Sequence, residues 1–141
     1  MKRIIVVGLM MASISAFAQK IDASKVPASA LATFNKNFPN SKDVKWEIEH
    51  GNYEANFKQN GQKTSALIDD KGGLLETETD IAVTSLPSGV AEYVAKNYKG
   101  EKIKEAAKLK MANGDTNFEA EVKSMDLIFD VNGKFIKSVK D

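Results

Sequence analysis

VKWEIEHGNYEANF, residues 44–57, is the stretch whose reading decides the architecture. Val44, Trp46 and Ile48 alternate with Lys45, Glu47 and Glu49, a period of two that puts the first three on one side of a strand and the others opposite. His50-Gly51-Asn52 supplies turn residues. Tyr53, Ala55 and Phe57 then alternate against Glu54, Asn56 and Lys58, so the two runs predict an antiparallel hairpin with one apolar and one polar face. The apolar face needs a cover, and the polar one is free to meet solvent or a partner.

Upstream, the cover is visible. Pro27 opens a segment in which Ala30, Leu31, Phe34 and Phe38 fall at helical spacing, and Pro39-Asn40 ends it. Downstream, Asn60-Gly61 marks a reversal, and Thr64–Ile68 and Leu74–Thr79 predict two more strands about the turn Asp69–Gly73. The plan then recurs. Leu86-Pro87 echoes Val26-Pro27, Lys96-Asn97-Tyr98 echoes Lys36-Asn37-Phe38, and Asn117-Phe118-Glu119-Ala120 echoes Asn52-Tyr53-Glu54-Ala55. Val90, Tyr93, Val94 and Tyr98 repeat the helical stripe, with Gly100 closing it. Ile103–Met111, Phe118–Val122, Leu127–Phe129 and Lys134–Val139 are the corresponding strands. The expectation is an α+β fold: a tandem repeat of one helix followed by about four antiparallel strands, helices packed on one face of the sheet. The repeats would run over about residues 24–82 and 83–141, within a single domain at 19–141.

The first eighteen residues belong to something else. Lys2 and Arg3 precede an apolar run from Ile4 to Phe17, and Ala16-Phe17-Ala18 fits a cleavage site, which together predict a secretory signal peptide removed after Ala18. The run is shorter than the ~20 residues a spanning helix needs, so no membrane span is expected after cleavage. The Gram-negative periplasm is the expected address. The chain contains no Cys, which removes disulfides, thiolate metal sites and a lipid-anchored N-terminus.

Composition narrows function by exclusion. Twenty Lys and Arg stand against 19 Asp and Glu, a formal charge of +1 that offers no overall field for nucleic acid. His50 is the single histidine; at a hairpin tip and without other nitrogen or sulfur donors it predicts an exposed turn residue, not a metal ligand or triad member. Asp69-Asp70-Lys71-Gly72 and Asp130-Val131-Asn132-Gly133 have the look of calcium loops, but D-x-N-G between apolar runs is a hairpin turn with Gly at positive φ. Glu76, Glu78 and Asp80 alternate along one strand and are expected on its solvent face. No catalytic set, metal or cofactor is expected. Trp46, Tyr53 and Phe57 belong to the core-facing set. The face that remains carries Lys45, Glu47, Glu49, Glu54, Asn56 and Lys58, and these are the candidate binding residues on an open, concave sheet surface.

Val26–Pro39, with V-P followed by F-x-x-x-F-P, then V-K-W-E at 44–47, N-Y-E-A-N-F at 52–57, the D-x-x-G turn and the L-P restart at Leu86-Pro87 carry a resemblance. The chain resembles the PepSY-like, beta-lactamase-inhibitor-like periplasmic proteins over nearly all of its length after the leader. That resemblance implies a secreted, Cys-poor binding protein. It invites comparison with PepSY domains that restrain peptidases and with inhibitors that grip a beta-lactamase on a concave sheet. It brings no catalytic residues. The chain departs from the secreted beta-lactamase inhibitors in lacking their usual disulfides. The expected function is a periplasmic binding module, protein-binding or inhibitory toward a peptidase or other hydrolase. The alternative is a small-molecule or envelope-polymer binder using a groove between helices and sheet. Oligomeric state leaves no signal.

Overall fold

The computed structural model describes residues 18–140, so the leader and its cleavage site lie, but for Ala18, outside the described residues. Nine strands follow one another: β1 (Gln19–Ile21), β2 (Lys42–Glu49), β3 (Asn52–Gln59), β4 (Gln62–Ile68), β5 (Leu74–Ile81), β6 (Ile103–Met111), β7 (Thr116–Val122), β8 (Met125–Phe129) and β9 (Phe135–Lys140). Helix α1 (Ala28–Asn37) lies between β1 and β2, and α2 (Ser88–Asn97) between β5 and β6. All nine strands form one antiparallel sheet in sequence order.

That continuity corrects the expected tandem repeat. The class is α+β, but the architecture is a single nine-stranded meander interrupted by two ten-residue helices, not two helix-plus-four-strand units. β5 pairs with β6 from Glu76↔Met111 to Ile81↔Ala106, so the sheet has no seam where the repeats were expected to meet. Pairing there removes two internal strand edges whose unpaired N–H and C=O groups would otherwise invite other chains. The sheet also begins earlier than expected, because Gln19–Ile21 pairs with Ile48–Trp46; three residues are too few to show a periodicity.

The hairpin at 44–57 forms where alternation places it. His50 and Gly51 turn at φ 49° and 81°, the double positive φ that matches the twist of the flanking strands, and Asn60-Gly61 does the same at 50° and 80°. Cross-strand partners share a face, and the register Phe57↔Thr64↔Thr79↔Lys108↔Phe118↔Phe129 carries one face unbroken from β3 to β8. Both helices sit on it. Under α1, Phe34 meets Trp46 and Phe57 edge-on at 5.2 and 5.0 Å, with Ala55, Ala66 and Ile68 filling the floor. Under α2, Tyr93 stacks on Phe135 at 4.5 Å and meets Phe129 edge-on at 5.4 Å, over Ala120, Val122 and Leu127. Trp46 and Phe57 are thus core residues, as their alternation predicts, and Tyr53 packs partly buried against the same cluster.

Turns lock the helices in place. Ser29 and Thr33 hydroxyls donate to the carbonyls of Asp70 and Gly72 at 2.6 and 2.7 Å, tying α1 to the β4–β5 turn. Gly89 in α2 packs against Gly133 in the β8–β9 turn, backbone to backbone. The helices cover one face of the sheet and leave the other to whatever lines it.

Candidate functional site

The residues on the helix-free face follow from register alone. Glu47 stands opposite Glu54, Glu54 opposite Leu67, Leu67 opposite Glu76 and Glu76 opposite Met111. One step along, Ser65 stands opposite Glu78 and Glu78 opposite Leu109. Further on, Ala107 faces Glu119, and Glu119 faces Ile128. Through the middle of the sheet the strands therefore alternate in character: carboxylates on β3, β5 and β7, and apolar side chains on β4, β6 and β8.

The face is concave. Leu109 and Ile128 are only 4% and 6% exposed although no helix among the described residues covers this side. In a flat sheet β5 and β9 would lie roughly 19 Å apart at the usual strand spacing. Yet Glu76 and Glu78 on β5, Asp126 on β8 and Lys137 on β9 line one hollow. The sheet curls around a trough of about 540 Å³, bounded by Glu49 and Glu54 at one side and by Lys137 and Val139 at the other.

Eight carboxylates line this trough, with Lys137 the lysine among its lining residues; Lys104 reaches Glu121 at 3.6 Å. Burial pushes the Glu78 carboxyl up to about 7, helped by the charges of Glu76, Glu54, Asp80 and Asp126. Glu54 is raised by burial and by Glu49, against hydrogen bonds from Ser65 and Asn56 that favour its charged form. Glu76 is raised by burial and by Glu49, and Lys137 partly offsets this. Low dielectric and like charge act together here, since each carboxylate loses water and gains a repelling neighbour. A carboxyl titrating near neutrality can hold a proton, but the cross-strand neighbours of Glu78 are Ser65 and Leu109, not a base paired with a nucleophile. The arrangement is suited to attracting positive charge onto an apolar floor.

The six candidate residues share the helix-free face but do not form one site. Glu49 and Glu54 line the trough. Lys45, Asn56 and Lys58 line, with Lys63, a second and more open depression of about 500 Å³, where Lys58 pairs with Asp43 at 3.4 Å. Glu47 lies between Lys20 and Glu54 in register. The sequence reading missed Glu105, Glu119, Glu121, Asp126, Leu67, Leu109 and Met111, and it placed Glu76 and Glu78 in solvent. For the carboxylates a signal was present in alternating pairs, at 47 and 49 on β2, 76 and 78 on β5, and 119 and 121 on β7.

The other motifs resolve into structure. Asp69 Oδ1 accepts from the amides of Lys71 and Gly73 at 2.9 and 2.7 Å, and Asp130 Oδ1 accepts from Asn132 and Lys134 at 2.9 and 3.0 Å. These carboxylates bind their own turns. His50 is an exposed turn residue, 3.8 Å from Glu49. Among the described residues no cluster of His, Cys, Asp or Glu could hold a metal ion, and no helix is long and apolar enough to cross a membrane.

The model of a family provisionally described as beta-lactamase-inhibitor-like, PepSY-like matches residues 13–76 and 51–137, nearly the whole chain. The chain belongs to this family. Solved structures share the fold. A DUF2874 family protein from Bacteroides uniformis superposes with a TM-score of 0.71 at 21% identity, over 81% of this chain and 88% of that one. A BLIP-like protein from Bacteroides fragilis gives 0.67 at 23%, over 81% and 86%. A protein from Bacteroides eggerthii, provisionally described as periplasmic, gives 0.71 at 16%, over 82% and 88%. No curated protein matches the chain.

Proposed function

We propose that this PepSY-like protein is a periplasmic binding module, exported by removal of residues 1–18, that holds another protein against its helix-free sheet face. The observation that carries this reading is the trough itself: a concave face where half-buried carboxylates stand between apolar side chains and no helix among the described residues covers them. A charged concave face selects a partner of complementary charge, which sets specificity and speeds encounter. The function is non-catalytic: the curled sheet presents shape and charge. The finer reading is restraint of a secreted hydrolase, supported by the BLIP-like relative and by the PepSY-like family description.

Crosslinking in the native periplasm tests it. The unaltered protein captures a discrete partner, and a Glu49→Lys, Glu54→Lys variant of unchanged circular dichroism loses it, whereas Lys36→Glu and Lys96→Glu on the helices keep it. Equal capture by the trough variant would refute the assignment of this face. A small molecule or envelope polymer is the second reading, favoured by the trough's volume, which lies in the range of ligand pockets. It requires saturable binding with no protein captured.

A further inference from the structure

We infer that the trough takes a segment of another protein in which lysine or arginine side chains are interleaved with apolar ones. This rests on the reading of the helix-free face as a protein-binding surface and adds the chemistry of what is bound.

The strands set the pattern. Glu54 on β3 and Glu76 and Glu78 on β5 form carboxylate columns, with Glu119, which has a partner of its own, on β7; Leu67 on β4 and Met111 on β6, both part-exposed, form the strips between them. At the usual strand spacing the columns recur about every 10 Å, with an apolar strip midway. Leu67 and Met111 keep part of their apolar surface open between the charges, while Leu109 is nearly fully buried by the curl of the sheet; a purely apolar dock has no use for the charges. Carboxylates held half out of water with like neighbours carry an electrostatic cost that an arriving cation relieves. Lysine and arginine suit both parts of the pattern, because their methylene stems lie along apolar surface while the charged head reaches a carboxylate.

Other occupants match less of the pattern. The carboxylates are set apart by apolar strips and do not converge as a hard divalent cation requires. A bare polycation would neutralise the columns and leave the open surface of Leu67 and Met111 wet. A second copy placed face to face about a two-fold axis would set carboxylate against carboxylate.

Calorimetric titration of the purified protein with four probes tests the inference: a lysine–leucine peptide, KSLSKSL, whose extended form sets lysine and leucine in turn on one face; a lysine–serine peptide with serine in place of each leucine; a glutamate–leucine peptide with glutamate in place of each lysine; and spermine. The lysine–leucine peptide binds, and it binds roughly tenfold or more tighter than either the lysine–serine peptide or spermine, which corresponds to about 1.4 kcal/mol or more. The glutamate–leucine peptide does not bind. The Glu54→Gln, Glu78→Gln variant, which keeps side-chain shape, loses about tenfold or more in affinity while its circular dichroism is unchanged. Equal affinity for spermine or for the lysine–serine peptide overturns the inference, as does undiminished binding by the variant. Self-association in sedimentation that the same variant abolishes also overturns it, by giving the face to a second copy. A periplasmic partner captured through the trough but lacking such a segment ends this inference and leaves the binding-module reading standing. Peptide binding without any captured protein upholds the chemistry of the trough and overturns the claim of a protein partner in both readings.

Discussion

Gly89 in α2 and Gly133 in the β8–β9 turn are in backbone contact: a Cβ added at Gly89 would stand 2.9 Å from the Gly133 carbonyl oxygen, and one added at Gly133 would stand 3.1 Å from the Gly89 nitrogen and Cα. The closeness lets the turn seat against the start of the helix, which in turn holds Tyr93 over Phe129 and Phe135. Gly89→Ala should therefore destabilise the protein. In an open helix the change would add stability of about 1 kcal/mol through propensity. Here a fixed backbone oxygen must move, and a net loss of roughly 1–3 kcal/mol is expected, of the size overpacked sites show. Urea unfolding measures it, and a stabilised Gly89→Ala would mean that the turn does not seat as described.

Asp130 offers a second test of the turns. Its Oδ1 accepts two backbone amides, so Asp130→Ala leaves both without their acceptor and should cost about 1–2 kcal/mol. Asp130→Asn keeps an acceptor oxygen and should recover more than half of that. Calcium should shift the melting temperature of none of the three proteins. A calcium-dependent rise in the unaltered protein that Asp130→Ala removes would make the turn an ion site after all.

How much of this was legible in the sequence follows from what periodicity measures. Alternation in 44–57 reports which side of a strand each residue occupies, and it placed Trp46 and Phe57 in the core and Glu49 and Glu54 opposite. It does not report what that side faces. Glu76 and Glu78 were read as solvated because nothing local to β5 reveals that the sheet curls and brings Asp126 and Lys137 toward them. The β5–β6 pairing is likewise invisible, since the 21 residues between those strands contain a helix and a similar restart suggests a new unit. Curvature and strand adjacency are properties of the whole sheet, and the site depends on both.

Trp46 reports on one face and not the other. It is 5% exposed beneath Phe34 on the helix side, so a partner filling the trough should leave its emission maximum in place. Phe34→Ala should shift that maximum to longer wavelength and cost roughly 3–5 kcal/mol, because it removes the ring that meets both Trp46 and Phe57. A large Trp46 shift on trough binding, with Phe34 intact, would show that the two faces communicate through the sheet.

The trough carboxylates make stability depend on pH in an unusual direction. Glu78 sits near 7 in the folded protein against 4.5 for an unperturbed carboxyl, because of burial and the facing charges of Glu76 and Asp80 on its own strand, Glu54 on β3 and Asp126 on β8. Between those two values the folded state binds more protons than the unfolded one. Stability should therefore rise as pH falls from 8 toward 5, with the penalty fully present above 7 and gone below 4.5. Glu54 and Glu76 are shifted the same way and add to the slope. Glu78→Gln removes the charge and keeps the shape; it should raise stability at pH 8 by about 1–3 kcal/mol and change it little at pH 5. Thermal unfolding of both proteins at pH 5, 6, 7 and 8 measures the convergence. If the unaltered protein melts higher at pH 8 than at pH 6, or Glu78→Gln melts lower than it at pH 8, then these carboxylates are better solvated than the curled sheet implies and the trough is open to water.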